Sequence, residues 1–147
     1  MKTILLALCM AMSFTCARAQ ANFEAAKKEA AENNELILLN FSGSDWCIPC
    51  IKLHKNIIAS EDFKKLSDDK VIVYMNADFP RSRKNQLAAD LKKENAMLAD
   101  LYNPKGIFPY TLLLDPHGKV IKTCEGLPAE NALSFSNEIR AIYQHKK

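Results

Sequence analysis

The stretch NFSGSDWCIPCIKLHKN, residues 40–56, sets two cysteines three positions apart behind a tryptophan, straight after an apolar run. Such a pair can be a redox couple, half of a metal site, a haem attachment point or a structural disulfide. Haem attachment needs a histidine directly after the second cysteine, and residue 51 is Ile. Structural zinc needs four ligands, usually from two close pairs. Only one close pair is present, so His54 and Cys124 would have to complete a metal site. A structural disulfide stays open, although closing so short a loop removes little unfolded-state entropy.

The surrounding pattern places the pair on a fold. Residues 23–33 are rich in Ala, Glu and Lys and read as a helix. Residues 35–41, ELILLNF, form a continuous apolar run of the kind found in a strand buried on both faces. A helix is expected from about 47 to 59, with Pro49 in its first turn, where a missing N–H costs nothing. Ser60-Glu61-Asp62 begins a second short helix, its acids near the positive end. A strand over 71–76, a polar loop, and a helix over about 85–102 carrying Leu87, Leu91, Leu98, Leu101 and Tyr102 come next. Asn103-Pro104-Lys105-Gly106 ends it. Strands over 110–114 and 119–124 flank the turn Asp115-Pro116-His117-Gly118. Pro128 opens a last helix with Leu133, Ile139, Ile142 and Tyr143 on one side. The alternation implies an α/β protein with a mixed central sheet of about four strands and helices on both faces, the last hairpin supplying the antiparallel edge.

In this order Cys47 falls where a strand ends and a helix begins. Unpaired N–H groups and the positive helix end favour a thiolate there. Cys50, one turn deeper, should be less accessible. The outer thiolate can attack a substrate disulfide and the inner thiol can resolve the mixed disulfide.

The first twenty residues, MKTILLALCMAMSFTCARAQ, have a lysine, an apolar stretch and a small-x-small ending at Ala17-Arg18-Ala19. That is the anatomy of a secretory signal, and the run is too short for a membrane span of ~20 residues. The expected division is a signal peptide over 1–19 and one domain over 20–147, placing the protein in the periplasm or outside the cell. Lipidation at Cys16 is the competing reading, with Ser13-Phe14-Thr15 a poor match to the residues expected before an acylated cysteine. Cleavage removes Lys2 and Arg18 from the 20 basic residues, leaving 18 against 17 acidic ones, a charge of +1. Nothing in that balance points to nucleic acid. The run Arg81-Ser82-Arg83-Lys84 reads as a solvated loop. Cleavage also removes Cys9 and Cys16, leaving Cys47, Cys50 and Cys124. An odd number suits one reactive pair and a spare buried thiol better than a stapled scaffold.

The motif WCIPC after an apolar strand resembles the active site of the thioredoxin superfamily. Far downstream GIFPYTLLLDPHGKV, residues 106–120, resembles the family's proline loop, strand and hairpin, and the likeness extends over residues 22–145. It is nearer to secreted bacterial thioredoxin-like proteins with GSDWCxxC than to cytosolic thioredoxin. The resemblance implies a thioredoxin fold, Cys47 as nucleophile, Cys50 as resolving thiol, and Trp46 flanking the nucleophile. It implies a cis bond before Pro109 and a substrate groove bordered by Phe108 and Pro109, with the Phe108 backbone bonding an extended peptide.

Three departures stand out. Thioredoxin's buried acid falls at Asn40, its lysine partner at Tyr74, and the segment between Asp78 and Pro109 is far longer. Asp45 and His54 are candidate tuning residues, each weighed against a plain solvated turn or helix position. The expected activity is thiol–disulfide exchange, as a reductase or isomerase rather than an oxidase. Its partners would be exported proteins with cysteines or disulfides and a membrane electron-relay protein, and the chemistry calls for no metal or organic cofactor. The alternative is a binding or chaperone-like module with a structural disulfide.

Overall fold

The computed structural model describes residues 23–146. The expected signal segment, its cleavage after Ala19 and the lipidation reading at Cys16 lie outside the described residues. No helix within them is long and apolar enough to cross a membrane.

Everything is arranged about β1 (Leu36–Ser42), whose seven residues are all buried. It pairs in parallel with β2 (Ile72–Asp78) and antiparallel with β3 (Tyr110–Leu114); β3 pairs antiparallel with β4 (Val120–Glu125). The order is therefore β2-β1-β3-β4. The hairpin supplies the antiparallel edge expected of it and makes up half of the sheet.

Side chains alternate across a strand, so β1 feeds two cores. Leu36 and Leu38 pack with Ile72 and Leu113 beneath α2 (Ile48–Leu53), α3 (Glu61–Asp68) and α5 (Ala132–His145), which contribute Leu53, Phe63, Leu66, Phe135 and Ile139. Ile37, Leu39 and Phe41 pack with Val73, Leu112 and Leu114 beneath α1 (Phe23–Asn33) and α4 (Ala89–Tyr102). Ala26 and Ala30 of α1 are fully buried, and their small side chains let that helix lie close to the sheet. Fully burying one Leu or Phe stabilises by about 1.5–3 kcal/mol, so β1 is the strand least tolerant of truncation.

Several boundaries differ from the sequence reading. The helix after the cysteines passes into a π-helical segment at His54–Ile58, closed by Ala59 N–H donating to His54 O at 2.8 Å. The consecutive Ile57 and Ile58 are both buried there. The helix placed from 85 begins only at Ala89; a 3-10 turn, Arg83–Asn85, precedes it. Its inner face is Asn95 and Leu98, whereas Leu101 is 68% exposed. The last helix starts at Ala132, capped by the Asn131 side chain accepting from Ser134 N at 2.9 Å, and Pro128 stands ahead of it. Phe135, not the exposed Leu133, anchors it. The last helix is set by its Asn131 cap and the buried Phe135 and Ile139, whereas α4 has no side-chain cap and buries Asn95 and Leu98.

Candidate active site

Three segments meet at one end of the sheet. The loop leaving β1 turns through Gly43, whose carbonyl accepts from Trp46 N at 3.3 Å and Cys47 N at 2.9 Å. Cys47 then caps α2, with Pro49 in the first turn. Cys47 and Cys50 form a disulfide, and Cys50 N–H points at Cys47 Sγ at 3.3 Å. Register places Phe41 opposite Tyr110, which brings Pro109 to the same end of the sheet as the cysteine loop. The Phe108–Pro109 bond is cis, and Pro109 is fully buried.

The expected contrast between an outer and an inner cysteine is nearly absent in this oxidised form. Cys47 is 5% exposed and Cys50 3%. In the disulfide each sulfur covers the other.

Trp46 is fixed from several sides. Its Nε1–H donates to Phe79 O at 2.7 Å, and its ring meets Phe108 edge-on with centroids 5.5 Å apart. The Arg81 guanidinium lies 3.8 Å from the Trp46 ring centre. Phe79 meets Phe108 edge-on at 5.6 Å. A Cβ on Gly43 would sit 2.3 Å from the indole, so only glycine fits beneath the tryptophan.

Asp45 is not a free turn residue. Its carboxylate accepts from Arg81 N at 2.9 Å, Ser82 N at 2.8 Å and Asn85 Nδ2 at 3.0 Å. The Arg81 amide foremost, these bonds hold the Asp45 carboxyl below the usual carboxylate range. The run 81–84 is thus a tethered wall, with Arg81 laid on the tryptophan and Arg83 and Lys84 exposed. A second clamp joins the loop to β2: Ser42 Oγ–H, Ser44 N–H and Ser44 Oγ–H donate to the Asp78 carboxylate at 3.1, 2.8 and 2.6 Å.

His54 is exposed and borders a cavity of about 270 Å³ with Cys50, Asn40, Tyr74 and Asn76. Behind it runs a polar row across the sheet. Asn40 Nδ2 donates to Asn76 Oδ1 at 2.8 Å, and Thr111 Oγ1–H donates to Asn40 Oδ1 at 3.0 Å. Burial pushes the Tyr74 phenol up to about 12, although a hydrogen bond from Asn40 works the other way. The positions of the missing acid and lysine are therefore occupied by a neutral, mutually satisfied set.

Cys124 continues that row opposite Thr111 as a half-buried free thiol. Burial foremost, then the Glu130 charge, pushes its pKa up. Among the described residues no group of three or more His, Cys, Asp or Glu is placed to hold a metal ion.

Gly43, Phe79, Asn76 and Thr111 escaped the sequence reading. Glycine directly after the strand was the available signal for Gly43. The others depend on strand register and on the path of the 79–88 loop.

Fold and site together define the class. The chain belongs to the thioredoxin-like family, whose model matches residues 18–116. It is 32% identical over 99 residues to the disulfide bond reductase DsbH of Chlamydia pneumoniae, an alignment covering 67% of this chain and 57% of that protein. The chain thus spans little more than half the length of that relative. Among solved structures it resembles a DsbH oxidoreductase, with a TM-score of 0.73, 24% identity, and coverage of 84% of this chain and 82% of that one. A thioredoxin from Thermus thermophilus superposes with a TM-score of 0.55 at 15% identity, covering 82% of this chain and 83% of that one. These structural likenesses establish the fold.

Proposed function

We propose that this chain is an exported thiol–disulfide oxidoreductase that reduces or isomerises disulfides of other exported proteins. The observation that carries the reading is the Cys47–Cys50 disulfide at the start of a helix that continues to Ile58, with Cys50 N–H aimed at Cys47 Sγ. After reduction that N–H and the helix end favour a Cys47 thiolate.

The thiolate attacks one sulfur of a substrate disulfide. A mixed disulfide forms, the substrate S–S bond breaks, and the departing thiolate takes a proton. Cys50, once deprotonated, attacks Cys47 Sγ and releases the second substrate thiol. Two electrons pass to the substrate and the enzyme disulfide reforms. A dithiol donor, such as a membrane relay protein, must then reduce the pair.

Two observations favour the reducing or isomerising direction. Ile48 and Pro49 place no charge or imidazole between the cysteines that would stabilise the thiolate. The relative from Chlamydia pneumoniae bears the name disulfide bond reductase. The secretory pattern of residues 1–19 supports export, with the domain beginning at Gln20.

The test is turnover of insulin disulfides with a dithiol reductant, joined to a trap. Cys50→Ser should accumulate mixed disulfides through Cys47 with exported proteins. No turnover and no trapped partner, with a working thioredoxin control, would leave the pair as the structural disulfide of a binding module. Equilibration with glutathione then fixes the direction: a potential near roughly −270 mV supports a reductase and one near roughly −120 mV an oxidase.

A further inference from the structure

A second cavity, of about 320 Å³, is lined by Trp46, the residue directly before Cys47. Trp46, Phe79 and Phe108 form its aromatic floor, Leu87 adds an apolar wall, and Arg81 and Lys92 stand at its rim. We propose that the rim of this groove, which is part of the substrate groove expected beside Trp46 and Phe108, selects substrate polypeptides in which carboxylates flank an apolar side chain. The proposal rests on the exchange reading above and adds to it a class of substrate sequence.

The groove is built rather than incidental. Its floor is locked by two edge-on ring contacts and by the Trp46 bond to Phe79 O. Its outer wall is held by the three hydrogen bonds that Asp45 accepts. Gln86 ties the same wall to itself by donating to Pro80 O at 3.3 Å and Ser82 O at 3.1 Å.

Among the described residues, the charged side chains at the rim that have neither an ion-pair nor a hydrogen-bond partner are cationic. Asp78 also borders the groove, but both of its carboxylate oxygens are taken by Ser42 and Ser44. Asp45 is likewise saturated. Among the described residues neither Arg81 nor Lys92 stands in an ion pair. Cations without an ion-pair partner above an apolar floor complement an apolar side chain with an acid beside it.

Position links the groove to the chemistry. Trp46 directly precedes Cys47, and Phe108 directly precedes Pro109. In an extended peptide the residue two places from a cysteine lies on the same face, about 7 Å away. A peptide presenting its sulfur to Cys47 can therefore seat that residue against the aromatic floor.

The experiment uses synthetic peptides with one cysteine as a mixed disulfide to a chromogenic aryl thiol. Phe or Ala stands two places from the cysteine, with Glu or Lys flanks. Single-turnover release of the aryl thiol by the reduced protein is followed. Wild type should react with the Phe peptide about tenfold faster than with the Ala peptide, from apolar burial. It should prefer Glu over Lys flanks by about threefold to tenfold, a preference shrinking as salt rises. In Arg81→Glu/Lys92→Glu the Glu-to-Lys ratio should fall to one or below. Because each ratio is taken within one protein, a general loss of activity does not disturb it, and Lys92→Glu alone gives the same test on the exposed surface of α4. Equal wild-type rates for all peptides would overturn the groove and leave the exchange reading standing. A wild-type preference for Lys flanks would overturn the charge assignment. No reaction with any peptide would overturn both readings.

Discussion

The two cavities beside the cysteine pair are close in size and differ in the residues that line them. The groove of about 320 Å³ is floored by three aromatic rings and rimmed by Arg81 and Lys92. The other, of about 270 Å³, is lined by Asn40, Tyr74, Asn76 and His54, with Cys50 at its wall. On the aromatic side the backbone loop is clamped by carboxylates, and the side chains remain available to something outside. On the amide side the polar groups satisfy one another within the sheet. A buried polar network with its partners in place stiffens its surroundings, and on our proposal the substrate lies on the other side.

The comparison can be broken most decisively at the pair itself. Cys47→Ser should lower insulin reduction by on the order of a thousandfold or more, because the nucleophile is removed. Near-wild-type turnover would mean that neither cavity serves exchange.

The aromatic side is tested through Gly43. Gly43→Ala drives a methyl into the indole, and overpacking of this kind costs about 1–3 kcal/mol. The chain has a single tryptophan, so its fluorescence reports the displacement directly. Unchanged emission and an unchanged urea midpoint would show that Trp46 is not held as described.

The amide side is sharpened by Asn40→Asp, which places an ionisable group at a position only 4% exposed. Burial raises the pKa of such a carboxyl, so the folded state holds the proton more tightly than the unfolded chain. The penalty is therefore greatest above the folded pKa and fades as pH falls through it. About 1–3 kcal/mol of destabilisation at pH 8, shrinking towards pH 5, is the expected result of urea unfolding. A penalty that grows on acidification would contradict the buried neutral row.

A smaller effect is expected at the clamp. The Asp45 pKa is lowered, so its contribution is present above the unfolded value of 3.8 and is lost as pH falls through the folded one. Asp45→Asn should speed hydrogen exchange at the Arg81 and Ser82 amides near neutral pH, and wild type should show the same loosening only in acid. The least perturbing test is alkaline titration. One of the four tyrosines should ionise near pH 12, the value to which burial pushes Tyr74. Its absorbance change should disappear in Tyr74→Phe.

Much of the fold was legible because its signals are local. The run 35–41 is apolar at nearly every position, as a strand covered on both faces must be, and Pro49 marks a helix start by what proline cannot donate. The long helix before Tyr102 and the last helix were placed too early. Leucine spacing gives a period but does not say which turn the sheet will cover, and Leu101 and Leu133 remained in solvent.

At the site, the two cysteines were visible from spacing and the downstream proline from its resemblance. The partners of Asp45 lie 36 to 40 residues away, and spacing cannot bring them together. The basic loop looked solvated because its charges are local facts, whereas the indole under Arg81 is a tertiary one.

The sequence by itself determined the central strand and the position of Cys47 at a helix start, since each depends on neighbours within a few residues, and it pointed to the family through two motifs far apart in the chain. The tertiary structure alone decided that Asn40, Asn76 and Thr111 form one row, because strand register sets which side chains stand opposite each other. It alone decided that the segment after β2 folds back as a wall of the aromatic groove, because the hydrogen bonds holding it are made by residues distant in the chain.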